Sequence, residues 1–378
     1  MNPQASAAYI REARSSAIYS GTRPLPERIY LDHASTTFVL PEAQAAMAEG
    51  WRAWANPSSP HQEGRKARAL LDDARRRIAD VLGAEGTLVF TSGATEAIAL
   101  VFERAKAGTR IVSAIEHPAV LRSAPDARRV RVGADGRIDL ADFDSALAGA
   151  DRPLVAVQSV NNETGVVQPA AEVAERVRAA GGLFLCDCAQ SAGKLPLPDA
   201  DFVVLAAHKF GGPAGCGALL IRDPGTLEAI GGQEGGYRPG TPPVPLILGF
   251  AAAAEADHIW YEEAKRLRTR LDEGIGAAGG EVVADGSPRI ATIGAYRMPG
   301  ITGAAQMMQL DLAGIAVSAG SACASGSQKT SHVLIAMGWS EAAAREVIRV
   351  SFGAGTCEAD VDALLGCWRS MFERRRTA

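Results

Sequence analysis

Three positions in this sequence pair chemically capable residue types with patterns that would hold them still. Lys209 follows the apolar run FVVLAA (202 to 207) and precedes FGGPAGCG, whose glycines permit a sharp turn and close approach of other backbone. Desolvation by such surroundings disfavours the charged amine, the condition under which a lysine forms a Schiff base. Asp187 closes the apolar run LFLCD (183 to 187), and a carboxylate at a buried strand's end is costly unless a cation or donor meets it. SGATEA (92 to 97) follows the strand-like TLVF and opens a helical pattern, so the backbone N–H groups of Gly93, Ala94 and Thr95 offer an anion site. Each feature also has an ordinary reading: glycine turns punctuate, an aspartate caps the next helix, and exposed lysines at strand ends outnumber catalytic ones.

Their conjunction says more than any member. An amine for an aldehyde, a carboxylate for a protonated pyridine nitrogen and a helix start for a phosphate are the three anchors that pyridoxal 5′-phosphate (PLP) requires. A fourth candidate, Cys323, lies in SAGSACASGSQKTS (318 to 331), which lacks the apolar spacing that would bury it and so reads as a mobile thiol. Cys186, Cys188, Cys216, Cys357 and Cys367 read as structural.

The elements that must position these residues are legible as alternating runs. TLVF (87 to 90), RIVSA (110 to 114), RRVRV (128 to 132), LVAVQSV (154 to 160), LFLCD, FVVLAA and ALLIR (218 to 222) read as strands, several apolar on both faces, with room for helices between most of them. An α/β architecture follows: a seven-stranded, mostly parallel sheet sandwiched by helices, with ligands beyond the strands' carboxyl ends. Arg65 to Leu82 and Leu246 to Ile275 carry helical spacing, the second long enough to bridge two domains. After it come a strand at 289 to 296, a helix at 306 to 312, the Cys323 loop and a closing helix at 359 to 375, a smaller α+β domain. The expected division is an N-terminal segment, 1–29, packed on the small domain; a large domain, 30–260; and a small domain, 261–378, carrying the cysteine loop.

Composition narrows the class. The 378 residues are 47% hydrophobic and 22% charged, as in a soluble globular enzyme, and a net charge of -4 without a basic stripe argues against nucleic acid. Six cysteines without CxxC pairs or a histidine cluster suggest neither a disulfide framework nor a metal site. No secretory signal or membrane-length apolar run is present, so a cytoplasmic location is expected.

Ten blocks in order then resemble one family: YLDHASTT (30 to 37), NPSSPH (56 to 61), FTSGATEA (90 to 97), EHPAV (116 to 120), VNNETGVVQP (160 to 169), DCAQSAGK (187 to 194), HKFGGPAGCGAL (208 to 219), RPGT (238 to 241), GSACASGS (320 to 327) and IRVSFG (348 to 353). They are similar to the cysteine desulfurases of the NifS/IscS type, class V aminotransferase relatives with the fold-type I PLP architecture. The resemblance implies PLP-dependent removal of sulfur from L-cysteine, giving L-alanine and a persulfide on Cys323. Lys209 would carry the cofactor, Asp187 would pair with its ring nitrogen, Gln190 and Asn162 would reach its phenolic oxygen, and His117 would stack on the ring and move protons. Ala94, Thr95 and His208 would hold the phosphate, with Thr241 supplied by the other subunit of a homodimer. Asn162 and Arg349 would bind the substrate carboxylate. The long loop around Cys323, with Gly320 and Gly326 as hinges, resembles those that deliver sulfur to an acceptor or scaffold protein for iron–sulfur cluster or other sulfur-compound biosynthesis.

The chain departs from that pattern in places. Ala206 stands where the family usually has a serine on the phosphate, which predicts weaker cofactor retention; GGQEGGYRPGT is short and carries Pro239. The sequence stops soon after its last helix, without the tail that recruits a scaffold in housekeeping members, so the acceptor is not implied. Selenocysteine lyase or another class V PLP enzyme is the alternative activity, and a non-catalytic sulfur carrier or regulatory homologue the alternative of a different class.

Overall fold

The computed structural model describes residues 28–257, 259–319 and 330–377. The first half runs β1 (Ile29–Tyr30), α1 (Pro41–Arg52), α2 (Gln62–Leu82), β2 (Thr87–Thr91), α3 (Ala94–Arg104), β3 (Arg110–Ser113), α4 (Pro118–Ser123), β4 (Arg128–Val130), α5 (Leu140–Leu147), β5 (Leu154–Ala156), α6 (Ala170–Ala179) and β6 (Leu183–Asp187). The second runs β7 (Phe202–Ala206), β8 (Gly217–Ile221), α7 (Val244–Ala254), α8 (Trp260–Ala277), β9 (Glu281–Val282), β10 (Ile293–Arg297), α9 (Gly303–Leu312), β11 (Ile315–Ala316), β12 (Ser318–Ala319), α10 (His332–Ala336), α11 (Glu341–Ala344), β13 (Val347–Ser351) and α12 (Glu358–Thr377).

The seven apolar runs pair into one sheet in the order β2-β8-β7-β6-β5-β3-β4, parallel throughout except that β8 runs antiparallel to both neighbours. Alternate residues serve opposite faces. Val203 and Leu205 join Leu71, Ile78, Ile247 and Phe250 beneath α2 and α7, while Phe202 and Val204 join Ile98 and Val101 of α3. Both faces being covered, the strands carry apolar residues at consecutive positions. β5 is shorter than LVAVQSV suggests, because past Ala156 the Gln158 N–H turns to the Glu116 carboxylate at 3.0 Å.

The single long helix expected over 246–275 is instead two. α7 is almost wholly apolar and buried in the sheet's cluster, whereas α8 is amphipathic and turns Leu267, Leu271 and Ile275 into a different cluster. Two such faces need different axes. The break carries an Asx turn in which the Asp257 carboxylate accepts from Ile259 N at 2.8 Å.

The second cluster is built around Trp368, Tyr296 and Leu267 over the antiparallel sheet β12-β13-β10-β9, and it also takes in Leu31. β1 pairs in parallel with β11, and Asp32 bridges Ser351 of β13. The chain then crosses to the large sheet, where Thr37 N donates to His208 O at 3.0 Å and Leu40 N to Gly211 O at 2.9 Å. Residues 32–37 are thus a strap tied to both sheets. Of the segment expected to pack as 1–29, residues 1–27 lie outside the described residues.

Candidate active site

The site grows from the carboxyl edge of the central sheet. β6 ends at Asp187 and β7 feeds the short turn Ala207–Lys209, so adjacent parallel strands deliver a carboxylate and an amine to the same edge. At the start of α3, Gly93 is the N-cap, with φ +152°, and no side chain caps the first turn. β8 passes close beneath it: a Cβ on Gly217 would stand 2.7 Å from Gly93 Cα and 2.5 Å from Leu205 O, so glycine is required there.

A cavity of about 480 Å³ opens at this edge. Ala94, Thr95, His117, Asn162, Asp187, Gln190, His208, Lys209 and Arg349 all line it, as does Ala206. Thr241 is exposed and lies outside that lining. Cys323 falls outside the described residues, as do Gly320 and Gly326.

Burial sets the electrostatics. Asp187 is 8% exposed, and desolvation holds its carboxyl above the ordinary range, against the pull of the Ala189 N–H and the charges of His117 and Lys209. Its Oδ1 accepts from Ala189 N at 2.9 Å in an Asx-type turn, and β7 rather than a helix is the next element. His117 caps α4, its Nδ1 accepting from Ala119 N at 3.1 Å; this fixes the neutral tautomer with hydrogen on Nε2. Burial lowers its pKa, the Asp187 carboxylate opposes that, and Lys209 adds to the lowering. His208 is pushed down to about 4 by burial and by the Lys209 charge, which makes it a neutral imidazole at physiological pH.

The strap supplies contacts that no residue type announced. Lys209 Nζ donates to Ala34 O at 2.6 Å and Ser35 O at 2.8 Å, Gln190 Nε2 donates to Ala34 O at 2.9 Å, and His208 Nδ1 lies 3.2 Å from Thr36 Oγ1. Arg349, on β13, donates from Nη1 to Asn162 O at 2.9 Å and from Nη2 to both Asp32 Oδ1 and Ser35 Oγ at 2.7 Å. YLDHASTT marked this stretch as family-like, but contacts made through main-chain carbonyls leave no signature in side-chain identity. Lys194 was also missed. Its Nζ donates to Gln190 O at 3.1 Å, and burial followed by the Lys209 charge lowers it to about 8.

An amine, a buried carboxylate, a helix start and a guanidinium around one space suit an amino-acid substrate and an anionic cofactor. The aminotransferase class-V family model matches residues 29–364. The chain belongs to this family. Its relatives include a cysteine desulfurase of Cereibacter sphaeroides, 38% identical over 90% of this chain and 94% of the relative. An IscS-like cysteine desulfurase of Mycobacterium tuberculosis is also 38% identical, over 92% of this chain and 97% of its own. Among solved structures, a NifS-like protein from Rickettsia africae superposes with a TM-score of 0.85 at 29% identity, covering 92% of this chain and 99% of that one. SspA in complex with cysteine gives 0.75 at 31% identity, over 87% and 100%. The seven-stranded sheet and its helix layers are therefore those of the NifS-like class V enzymes.

Proposed function

We propose that this protein is a PLP-dependent cysteine desulfurase that converts L-cysteine to L-alanine and leaves the sulfur as a persulfide on Cys323. The observation that carries the reading is one cavity lined by Lys209, Asp187, His117, the start of α3 and Arg349, in a chain of the class V family. The residues fit the cofactor on physical grounds. Asp187 is a buried carboxylate in need of a cation, which a protonated pyridine nitrogen provides, and the uncapped α3 turn with Ala94 and Thr95 suits a phosphate. Lys209 is the amine for the aldehyde, and Gln190 and Asn162 are placed for polar contacts. His208, neutral, adds a ring N–H. Bound PLP supplies an electron-withdrawing ring that makes the substrate's Cα–H acidic and its Cβ–S bond breakable.

The protein's own residues supply the rest. Arg349 and Asn162 take the substrate carboxylate. The Lys209 amine moves a proton at the substrate Cα, and His117, with its lowered pKa, is neutral and ready to accept one near pH 7. The Cys323 thiolate attacks the substrate sulfur; an S–S bond forms, the Cβ–S bond breaks, and the carbon skeleton takes up a proton to leave as alanine.

Assembly and address belong to the same reading. A homodimer in which Thr241 serves the neighbouring site fits its position outside the cavity of its own protomer, and Trp51 and Trp54, 65% and 80% exposed, offer apolar surface for contact. A cytoplasmic location and a protein sulfur acceptor complete it; no helix among the described residues is long and apolar enough to cross a membrane. The division into 30–260 and 261–378 draws support from apolar clusters on the two faces of the large sheet and a separate one around Trp368, the last reaching back to Leu31.

The test is to mix PLP-loaded protein with L-cysteine and a reductant and to measure alanine for wild type, Cys323→Ala and Lys209→Ala. Alanine from wild type and its loss in both variants is expected; no alanine from a loaded wild type would defeat the reading.

A further inference from the structure

Arg349 makes an unusual set of contacts for a side chain meant to grip a ligand. Both Nη2 bonds go to the strap, to the Asp32 carboxylate and the Ser35 hydroxyl, each at 2.7 Å. Nη1 donates to Asn162 O, and Nε is buried with no hydrogen-bond partner among the described residues. Ser35 Oγ in turn donates to Asp32 Oδ1 at 3.0 Å, which fixes the carboxylate against the hydroxyl. The Arg349 side chain is 8% exposed and that of Asp32 21%, so the guanidinium is the buried partner and the carboxylate keeps part of its hydration.

The frame beneath this pair is rigid. Asp32 bridges Ser351, two residues from Arg349 on β13; Ser351 N donates to Leu31 O at 2.8 Å, and Ala34 N donates to Ser351 Oγ at 2.8 Å. Asp32 and Arg349 therefore ride on neighbouring backbone, although 317 positions separate them in sequence. A long arginine side chain has many rotamers, and ordering it at the moment of binding would cost affinity; holding it beforehand removes that cost.

We infer that Asp32, with Ser35, is a positioning residue that orients the Arg349 guanidinium for the substrate carboxylate. The inference rests on the proposed role of Arg349. It assigns to the strap a task beyond spanning the two sheets: the strap presets the carboxylate site on one side and touches Lys209 through Ala34 and Ser35 on the other.

Two effects of Asp32 oppose each other. Its negative charge offsets that of Arg349 and repels an arriving carboxylate, while its hydrogen bond fixes the geometry. Asp32 is part-exposed and screened, whereas the bond is charge-assisted and made to a buried group, so geometry wins. Removing Asp32 therefore weakens substrate binding.

The experiment uses PLP-loaded protein and reads KM and kcat for L-cysteine, with L-alanine binding followed through the cofactor's absorbance. Asp32→Ala is expected to raise KM and the L-alanine Kd by about tenfold, with cofactor loading kept and kcat within about threefold. Asp32→Asn keeps an oxygen acceptor for Nη2 and is expected to restore most of that loss. Ser35→Ala shifts binding the same way by less, and serves if Asp32→Ala fails to fold. In an Arg349→Ala background, Asp32→Ala is expected to change L-alanine binding no further, which a general destabilisation would not reproduce. Unchanged or tighter binding in Asp32→Ala, while Arg349→Ala weakens it, overturns the inference. Unchanged binding in Arg349→Ala alone would instead remove the role given to Arg349, and with it the ground for the inference.

Discussion

The cavity has two walls of different origin. One is the edge of the central sheet, where the Gly93 turn, Asp187 and Lys209 stand at strand ends or the turns that follow them. The other is the strap 32–37 with Arg349, held by hydrogen bonds between residues more than 300 positions apart. In the first wall the backbone ladder fixes each side chain; in the second, position depends on side-chain and carbonyl contacts across the two sheets. In the proposed reaction, chemistry at the cofactor would fall to the first wall. Selection of the substrate carboxylate would fall to the second.

The largest expected effect lies in the sheet wall. Lys209→Ala should lower the rate of alanine formation by roughly 10⁴-fold or more and abolish the cofactor's lysine-linked absorbance. A small loss would show that this wall does not hold the chemistry. Asp187→Asn removes the buried carboxylate proposed to face the pyridine nitrogen and should lower kcat on the order of 100-fold with KM little changed; steady-state kinetics with a spectrum of the loaded protein reads this. If KM rose instead, Asp187 would be doing the work assigned to the other wall.

Cofactor retention gives a smaller effect in the opposite direction. Ala206 is buried at the end of β7 and lines the cavity. Ala206→Ser returns a hydroxyl to that position and should tighten PLP binding by about tenfold, the size of one hydrogen bond to a charged group, as read by equilibrium dialysis. Unchanged affinity would place the phosphate beyond reach of residue 206.

Two histidines sharpen the comparison within the sheet wall, since both feel burial and the Lys209 charge but only His117 has the Asp187 carboxylate in opposition. Asp187→Asn should therefore lower the His117 pKa further, moving its NMR titration and the acid limb of kcat/KM to lower pH. An unchanged titration would mean that the Asp187 carboxylate does not act on His117. For His208 burial and the Lys209 charge push the folded pKa down to about 4, below the ordinary 6.5 of a histidine, so between those limits the unfolded chain binds more protons and stability falls as pH falls. His208→Gln should flatten that fall in the melting temperature between pH 6.5 and 4 and change little above it. The effect is small because the imidazole is partly exposed.

How much could be read beforehand follows from which wall a residue occupies. Asp187 and Lys209 were legible because an apolar run ending in one charged residue puts that residue at a strand end whatever the rest of the fold does. The sequence near 255 misled: apolar spacing continues from Leu246 to Ile275, but the axis turns because α7 and α8 bury themselves in different clusters, and a helical repeat does not record which cluster a face will meet. Asp32 lies within YLDHASTT with no task legible from it, since an aspartate on a short extended segment has no periodicity to interpret.

The sequence by itself determined the seven strands, the burial of several of them on both faces, and the presence of an amine, a carboxylate and a helix start in the order a PLP site uses, because local pattern and residue type suffice for these. Tertiary structure alone decided that the strap lies between the sheets, that its carbonyls meet Lys209 and Gln190, and that Asp32 and Arg349 share one hydrogen-bonded pair. Those contacts join residues far apart in the chain, and main-chain acceptors are the same at every position, so only the packed fold selects which of them are used.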